Sequence, residues 1–479
     1  MMLSSRVAFF SQDQLELMKA RVFELLENRG VKMDHPEVLK LMDKAGATVD
    51  FDSKIVRFAK EFLKEQISQA PTKITLTGRN GENRVKIPRD DGTFYTRTNT
   101  GAQSWIDLES GKYRRITASD VTDWARLADR LEEINICAFP VPSDVPTATP
   151  DVHALNLMLQ NIEKHVWVQP YTRESVDYLI NLALAAAGGE QALRVNPLVS
   201  FITCSLTPLE FKCMDLDIIL KCARNGIPLH ACSLPGAGAT APITAPGVVL
   251  LSAAEILAML AAAQVVRPGI PVIATPLIFS TDMMTGRSLQ SSAESMQGAA
   301  LAVQFIKAAF GIPTHTYGIG SDSPLSDGQC TSEGALRSML IGLSGADLLG
   351  AAGQLEVATT ISPVQLAVDN EVFGTVRRMI SNLTFDDDSL AWADLLTVEP
   401  GGNFLTSEHT LRHCRDGLMP TNFTRMSRED WNKEGKGDLI SRVTEYCKDL
   451  LKKSAPPNLP DHVIREMDSI VEGADKQLG

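Results

Sequence analysis

Four aromatic side chains lie near the predicted ends of strands in this 479-residue chain, where they could hold an organic cation. They are Trp167, Tyr171, Phe279 and Tyr317. Aromatic faces bind organic cations through the ring quadrupole. Tyr317 is the first choice, because the glycine-rich segment Gly318–Asp327 follows it directly. Packing in a core layer or against a helix is the alternative for each.

Polar side chains in the same half of the chain could hold the anionic group of a ligand through their hydrogen-bond donors. The candidates are His315, Gln329, Gln354 and His409. A structural role is an equally good interpretation of each of them.

Acidic residues after the same predicted strands would favour a bound cation. Asp322 and Asp327 lie among Ser, Pro and Gly, where a carboxylate commonly caps a turn. Glu356 is a lone acid in an apolar run, and a buried acid needs a partner. We predict that Asp322 and Glu356 belong to a ligand site, with turn capping as the alternative for Asp322. Because no acid–base pair is evident, no catalytic residue is predicted.

Two short motifs bear on metals and cofactors. His230 and Cys232 share a face of a predicted strand, and with Cys330 they would give a zinc-binding H-x-C…C set. A core role is the more common one for buried cysteine, so no metal site is predicted. The segment Asp151–Asn156 approaches the D-x-H-x-x-G motif of corrinoid-binding domains, but Asn replaces its Gly. We therefore expect no cofactor to be bound by this chain.

The second part of the chain alternates short apolar runs with helical patterns. The predicted strands are Ile134–Phe139, His165–Gln169, Leu198–Cys204, Pro228–Cys232, Pro271–Thr275, Pro313–Tyr317 and Asp347–Ala351. Helices between them make these strands parallel with crossover connections. An eighth strand, with a weak signal, is predicted around Asn403–Leu405. No G-x-G-x-x-G fingerprint supports a doubly wound sheet, so we predict an α/β fold with a TIM (β/α)8 barrel.

The first part of the chain has a different texture. Helices are predicted from Ser11, from His35-Pro36 and near Lys60–Gln69, and alternating patterns between Lys73 and Thr117 predict antiparallel strands. We therefore expect an N-terminal α+β extension over residues 1–117, with the barrel and C-terminal helices over 118–479.

Composition excludes several classes of protein. The net charge of −12 disfavours nucleic acid as a partner. The apolar segment Gly247–Val266 contains Glu255 and Gln264, so we predict a buried helix and no membrane association. Eight scattered cysteines, without C-x-x-C or an apolar stretch in Met1–Gln12, predict a reduced, cytoplasmic protein.

Several segments resemble the trimethylamine methyltransferase family. They are Asn99–Val145, Gly238–Val266 with Gly269–Pro271, Ser321–Gln329, and Phe404–Arg415 with Ser427–Trp431. The similarity spans nearly the whole chain. It implies a barrel enzyme that transfers a methyl group from an amine to a corrinoid (cobalamin) carried by a cognate partner protein. It also suggests a homo-oligomer.

One departure from the family pattern affects the substrate. Members that demethylate trimethylamine carry pyrrolysine near the loop after the sixth predicted strand, whereas Gly318–Pro324 contains only ordinary residues. The chain therefore looks like the members that use quaternary amines, with glycine betaine as the first candidate and carnitine and proline betaine as neighbours. A quaternary ammonium leaves as a neutral tertiary amine, so the site needs no general acid. It must position the cation and exclude water.

Two other functions remain open from the sequence. One is a zinc-dependent thiol methyltransferase of similar fold, built on His230 and Cys232. The other is a protein that binds quaternary amines without catalysis. If the chain is the corrinoid-dependent enzyme, its barrel mouth must be open and partly apolar to admit a second protein.

Overall fold

The protein is described by a computed structural model that covers residues 7–435, 437–457 and 459–479. Eight parallel strands of these residues form one sheet in chain order, and a bridge between Ala274 and Thr314 closes it. We number the barrel strands β1 to β8: Tyr95–Thr98, Ile136–Ala138, His165–Val168, Val199–Cys204, Leu229–Ser233, Val272–Pro276, His315–Tyr317 and Leu348–Ala352. The predicted TIM barrel is confirmed.

Each barrel strand is followed by a helix on the outside. We number these helices α1 to α8: Ala118–Arg130, Pro150–Asn161, Ser175–Ala187, Cys213–Asn225, Ala245–Val266, Ala293–Phe310, Gly328–Leu343 and Pro363–Ile380. Several begin at a side-chain cap: Ser292, Asp327 and Ser362 accept the backbone N–H three residues on.

The predicted eighth strand is wrong. Residues 403–405 form no strand, and the missing strand is β1, which precedes the seven predicted ones. It pairs with β2 and β8 in parallel. The predicted division between residues 117 and 118 therefore falls inside the barrel, after its first strand. The seven strands predicted from the sequence are therefore β2 to β8, so the sixth predicted strand is β7.

The N-terminal part forms a cap beside the barrel. Its helices are Gln12–Asn28, Pro36–Lys44 and Lys60–Gln69, and its short strands are Val31–Met33, Thr48–Asp50 and Ile55–Arg57. These strands form a sheet with Glu210–Phe211 from the loop after β4. The first two helices begin at Ser11 and His35 as predicted. The cap is therefore joined to the barrel by a sheet.

An antiparallel hairpin, Ile74–Thr77 with Arg84–Ile87, closes the bottom of the barrel. Its apolar side chains pack with those of the barrel interior, including Ile136, Trp167 and Ile202. Its turn is tied to the start of β3, where the N–H of Arg79 donates to the carbonyl of Glu163. The interior is thus filled from below, and access is from the carboxyl ends of the strands.

Short strands and further helices complete the fold. Small sheets at the mouth contain Ser104–Ile106, Tyr113–Arg115, Gln354–Leu355 and Thr360–Ile361, and also Gly236–Ala237, Phe279–Thr281 and Ser288–Leu289. The remaining helices are Glu190–Val195, Trp392–Thr397, Glu408–His413, Arg428–Glu434, Leu439–Lys453 and Asp461–Leu478.

Helix α5 is the apolar helix singled out in the sequence. Of the described helices, only this one is long and apolar enough to cross a membrane, and 89% of its most apolar window is buried inside the protein. Glu255 on this helix accepts hydrogen bonds from Ser205, Thr207 and Ser233 and from the N–H of Leu209. The helix is a core element that ties the loops after β4 and β5 together.

Candidate active site at the barrel mouth

An open cavity of about 440 Å³ lies at the carboxyl ends of the barrel strands. It is lined by Thr100, Gly101, Gln103, Ser104, Tyr113, Arg115, Gln169, Tyr317, Val357, Ala358 and Thr359. The loops after β1 and β8 supply most of this wall. Because active sites of TIM barrels form at this end, the cavity is the candidate site.

Tyr317 lines the cavity at the end of β7, as the sequence predicted. Its side chain is 6% exposed, and its ring lies edge-on to that of Phe279 with 6.3 Å between centroids. Burial raises the pKa of the Tyr317 hydroxyl to about 12, so the phenol is neutral at physiological pH. Tyr317 offers an aromatic ring to a cation in the cavity, whereas Phe279 contacts Tyr317 without lining the cavity.

A layer of buried polar groups lies beneath the cavity. The guanidinium of Arg97 on β1 stacks over the ring of Trp167 at 4.2 Å, and its Nε donates to Nε2 of His315 at 3.3 Å. Burial and the charge of Arg97 hold the pKa of His315 well below its usual value, so this histidine is neutral. Trp167 and His315, both predicted to bind ligand, therefore support Arg97.

Tyr171 lies beside the cavity wall, after β3. Its backbone N–H donates to Asp151 at 2.8 Å, and its hydroxyl is buried without a hydrogen-bond partner. Gly101 has a φ of +73°, and a Cβ there would lie 3.0 Å from this hydroxyl and 3.4 Å from Oε1 of Gln169. A side chain at position 101 would crowd Tyr171 and Gln169, so this position requires glycine.

Gln354 and Asp322 support the loop after β7 and do not line the cavity. Nε2 of Gln354 donates to Oε1 of Gln290, and a Cβ on Gly320 would lie within 3.0 Å of both amides. Asp322 accepts the N–H groups of Gln290 and Ser291 at 2.9 and 3.0 Å. The glycine-rich loop is thus fixed by close packing, and Asp322 has the capping role given as the alternative.

Glu356 stands at the start of a strained turn in the cavity wall. Glu356, Val357 and Ala358 have φ values of 49°, 53° and 73°, a left-handed conformation that costs L-residues roughly 1–2 kcal/mol each. The N–H groups of Glu356 and Val357 donate to carbonyls of the loop after β7, and the Glu356 carboxylate accepts from Thr360. Glu356 therefore shapes the wall through its neighbours.

The sequence matches the family described as "Trimethylamine methyltransferase (MTTB)" over residues 3–479. The chain belongs to this family. It is 29% identical to the trimethylamine methyltransferase MttB of Desulfitobacterium hafniense (strain DSM 10664 / DCB-2), with 99% of this chain and 95% of the relative covered. It is 27% identical to the glycine betaine methyltransferase of Desulfitobacterium hafniense (strain Y51), with 98% and 97% covered. The protein is therefore a methyltransferase.

A solved structure agrees with the fold of this family member. The structure titled "Crystal structure of the hydroxylamine MtmB complex" has a TM-score of 0.55, with 99% of this chain and 88% of that chain covered. Its sequence identity is 13%, so the similarity concerns the fold alone.

Two predicted residues of this methyltransferase lie away from the cavity wall. Gln329 is exposed on α7 and donates to Glu333 at 2.8 Å, so it supports the loop only through that carboxylate. His409 lies in the C-terminal segment, where its ring stacks on that of His413 at 4.4 Å beside Asp388. These roles follow from local helix contacts that the sequence did not reveal.

The zinc motif does not assemble. Within the described residues, sets of three metal-binding side chains within 4.8 Å occur at His35, Cys213 and Asp217 and at Asp388, His409 and His413. His230 instead bonds to Ser200 at 3.0 Å inside the barrel. In the near-match to the corrinoid motif, Asp151 accepts from Ser175 and His153 bonds to Asp475 of the last helix.

Sequence reasoning missed Arg97, Gln169 and the cavity residues after β1 and β8. The signal for Arg97 was an arginine in the middle of the Thr-rich strand Tyr95–Thr98. Its inward direction depends on the position of β1 in the barrel. That position comes from pairing with β8, about 250 residues away, which no local pattern encodes.

Proposed function

We propose that this methyltransferase removes a methyl group from a quaternary amine, glycine betaine being the first candidate, and transfers it to the corrinoid of a partner protein. The observation that carries the proposal is the lining of the mouth cavity. The lining residues include aromatic side chains but no carboxylate, histidine or lysine. A site whose lining offers no carboxylic acid, imidazolium or ammonium group to protonate a leaving group suits a substrate whose leaving group is already neutral.

In this reaction the main task of the chain is to position the substrate. The reduced corrinoid of the partner supplies the nucleophile, and the electron pair of the broken C–N bond stays on the nitrogen of the departing tertiary amine. The ring of Tyr317 holds the cation, and the closed floor excludes water from below. The methyl group to be transferred must then point out of the mouth.

The rim of the mouth supports a protein partner. Exposed apolar side chains project from the loops after β4, β5, β6 and β7: Leu206, Leu234, Ile243, Met283, Met284 and Leu325. Met283 and Ile243 lie next to each other, since both come within 3.6 Å of a Cβ built on Gly238. An open, partly apolar rim is what docking of a corrinoid protein requires.

Calorimetric titration with glycine betaine and trimethylamine tests the substrate class. We expect glycine betaine to bind more tightly. Tyr317→Phe keeps the ring and should keep the affinity within about threefold. Tyr317→Leu keeps the apolar volume but loses the ring, which should cost about tenfold, because a desolvated cation–π contact contributes roughly 1–2 kcal/mol. Equal affinity of the two variants would refute the aromatic contact.

Methyl transfer to a reduced corrinoid protein tests the partner. Its absorption change should depend on glycine betaine, with release of dimethylglycine. Met284 is 95% exposed on the rim, so Met284→Glu should slow transfer without weakening betaine binding. Met379→Glu is the control, because Met379 is 67% exposed near the end of α8, at the opposite face of the barrel. Equal transfer by both variants would contradict docking at the rim.

A further inference from the structure

Arg97 is a buried cation without a carboxylate partner among the described residues. Its side chain is 0% exposed, and neither an ion pair nor a hydrogen bond joins it to an acid. Nη1 donates to the carbonyl of Thr98 at 2.7 Å, whereas Nη2 is buried with no partner. An isolated buried charge is costly, so an arginine in this state is prepared for an anion.

A second buried arginine shows the contrast. Arg337 on α7 is also 0% exposed and also has an Nη2 without a hydrogen-bond partner. Its Nε donates to the carbonyl of Tyr317 at 2.7 Å, and the charge of Asp322 acts on it from nearby. Arg337 therefore has both a structural task and a counter-charge. Arg97 has no such counter-charge.

A chain of hydrogen bonds holds Arg97 from below, and its direction can be deduced. Arg97 Nε is a donor, so Nε2 of His315 accepts and its Nδ1 carries the proton, facing Thr275 Oγ1 at 3.5 Å. At the other end, Nδ1 of His165 faces the carbonyls of Thr77 and Pro197 and must therefore carry the proton. Its Nε2 then accepts from the Ser200 hydroxyl at 2.8 Å.

The middle of the chain follows from its ends. Ser200 donates to His165 and so accepts from Nε2 of His230 at 3.0 Å, which leaves Nδ1 of His230 as an acceptor facing Thr275 at 3.5 Å. The Thr275 hydroxyl donates to the carbonyl of Ile273 at 3.2 Å, so its 3.5 Å contacts with the two histidines are the weakest links of the chain. Burial lowers the pKa values of His165, His230 and His315 and keeps them neutral, and none of the described groups neutralises Arg97.

Two strands locate Arg97 directly beneath the cavity. On β7, His315 contacts Arg97, and Tyr317, two residues on and therefore on the same face, lines the cavity. On β3, Trp167 stacks with Arg97, and the residue two positions on, Gln169, also lines the cavity. The guanidinium therefore lies one side-chain layer below the cavity.

We propose that Arg97 binds the carboxylate of the methyl donor, so that this enzyme selects quaternary amines that carry a carboxylate over those that do not. This inference rests on the proposed function. The methyl acceptor approaches from outside, so the reacting methyl group points outward and the other end of the donor points toward Arg97. The unpartnered Nη2 suits a carboxylate, which accepts charge-assisted hydrogen bonds.

Three probes separate the charges of the donor in a calorimetric titration. Glycine betaine carries cation and carboxylate, choline carries only the cation, and tert-butylacetate carries only the carboxylate in the same shape. We expect the wild type to prefer glycine betaine over choline by about 100-fold. Arg97→Gln should reduce this ratio to below about fivefold and abolish tert-butylacetate binding, whereas Arg97→Lys should retain part of the ratio.

The ratio protects the test against general damage to the fold. Arg337→Gln is the matched control, because loss of this buried arginine should weaken glycine betaine and choline alike and leave the ratio unchanged. Arg115→Gln tests the exposed arginine of the cavity wall. A ratio that falls in Arg115→Gln but not in Arg97→Gln would overturn the proposal.

The outcomes also separate this inference from the proposed function. Wild-type protein that binds choline as tightly as glycine betaine keeps the quaternary-amine class but refutes the role of Arg97. Wild-type protein that binds tert-butylacetate through Arg97 but no quaternary amine refutes the proposed function and retains the carboxylate site. Binding of none of the three probes refutes both.

Discussion

Glu255 is a buried carboxylate on which two mouth loops depend. It accepts hydrogen bonds from Ser205, Thr207 and Ser233 at 2.6, 2.9 and 2.6 Å, and from the N–H of Leu209 at 2.8 Å. Leu209 has a φ of 57°, a strained value for a residue other than glycine. We predict that removing this carboxylate releases the loop after β4.

The size of the effect follows from the four bonds. In Glu255→Gln the amide oxygen can still accept from Leu209, but two amide protons face three hydroxyls, so about one bond is lost, at about 1–2 kcal/mol. Glu255→Ala removes all four acceptor contacts. At about 1 kcal/mol each, the loss is roughly 4 kcal/mol, and the amide of Leu209 loses the carboxylate oxygen to which it donates.

Hydrogen exchange at the Leu209 amide measures this loss locally. Since each 1.4 kcal/mol is a factor of ten, exchange should accelerate about tenfold in Glu255→Gln and several hundred-fold in Glu255→Ala. Gln264→Ala is the matched control, because Gln264 is equally buried on the same helix and bonds to Gly269 and Ile270 instead. Unchanged exchange in Glu255→Ala, or equal acceleration in the control, would refute the reasoning.

Three further predictions concern buried residues of the barrel strands and of α8. Gly350→Ala would put a Cβ 2.7 Å from His315 Nε2 and 2.8 Å from Arg97 Nη2, so the free energy of unfolding should fall by about 1–3 kcal/mol. The melting temperature should fall with it, and an unchanged melting temperature would contradict this packing. Burial raises the pKa of Asp369 to about 7, so the folded state binds this proton more tightly than the unfolded state and stability falls as pH rises from about 4 to about 7. The melting temperature of Asp369→Asn should therefore vary less between about pH 5 and pH 8 than that of the wild type. Equal variation in the two proteins would contradict the assignment. Because His230 and Cys232 form no metal-binding set, Cys232→Ser should leave zinc content unchanged in elemental analysis, whereas loss of stoichiometric zinc would revive the thiol methyltransferase hypothesis.

Local patterns were sufficient for most of the fold. Apolar runs bounded by helical periods predicted the last seven barrel strands to within two residues at every end. These elements are encoded by short-range periodicity and by caps such as Asp327, which a single sequence displays. Strand β1 was missed because Tyr95–Thr98 is short, polar and surrounded by hairpins.

The site was predicted less completely than the fold, for a physical reason. Tyr317 was identified because a glycine-rich loop marks the end of its strand. The polar residues after β7 and β8 were predicted to bind ligand, but Asp322 and Gln354 satisfy neighbouring loops instead. Whether a polar side chain points at a ligand or at a backbone amide depends on tertiary geometry. The residue type is the same in both cases, so the sequence alone does not distinguish them.

The hairpin that closes the bottom of the barrel has a consequence for biosynthesis. Ile74, Leu76, Val85 and Ile87 leave the ribosome before any barrel strand, yet the apolar cluster to which they belong also contains Leu348 of β8. Strand β1 likewise waits for β8 to close the ring. Such long-range pairing slows folding and leaves an apolar hairpin exposed during synthesis. We therefore expect that nascent chains stalled before β8 bind chaperones, and that residues 118–479 expressed alone aggregate.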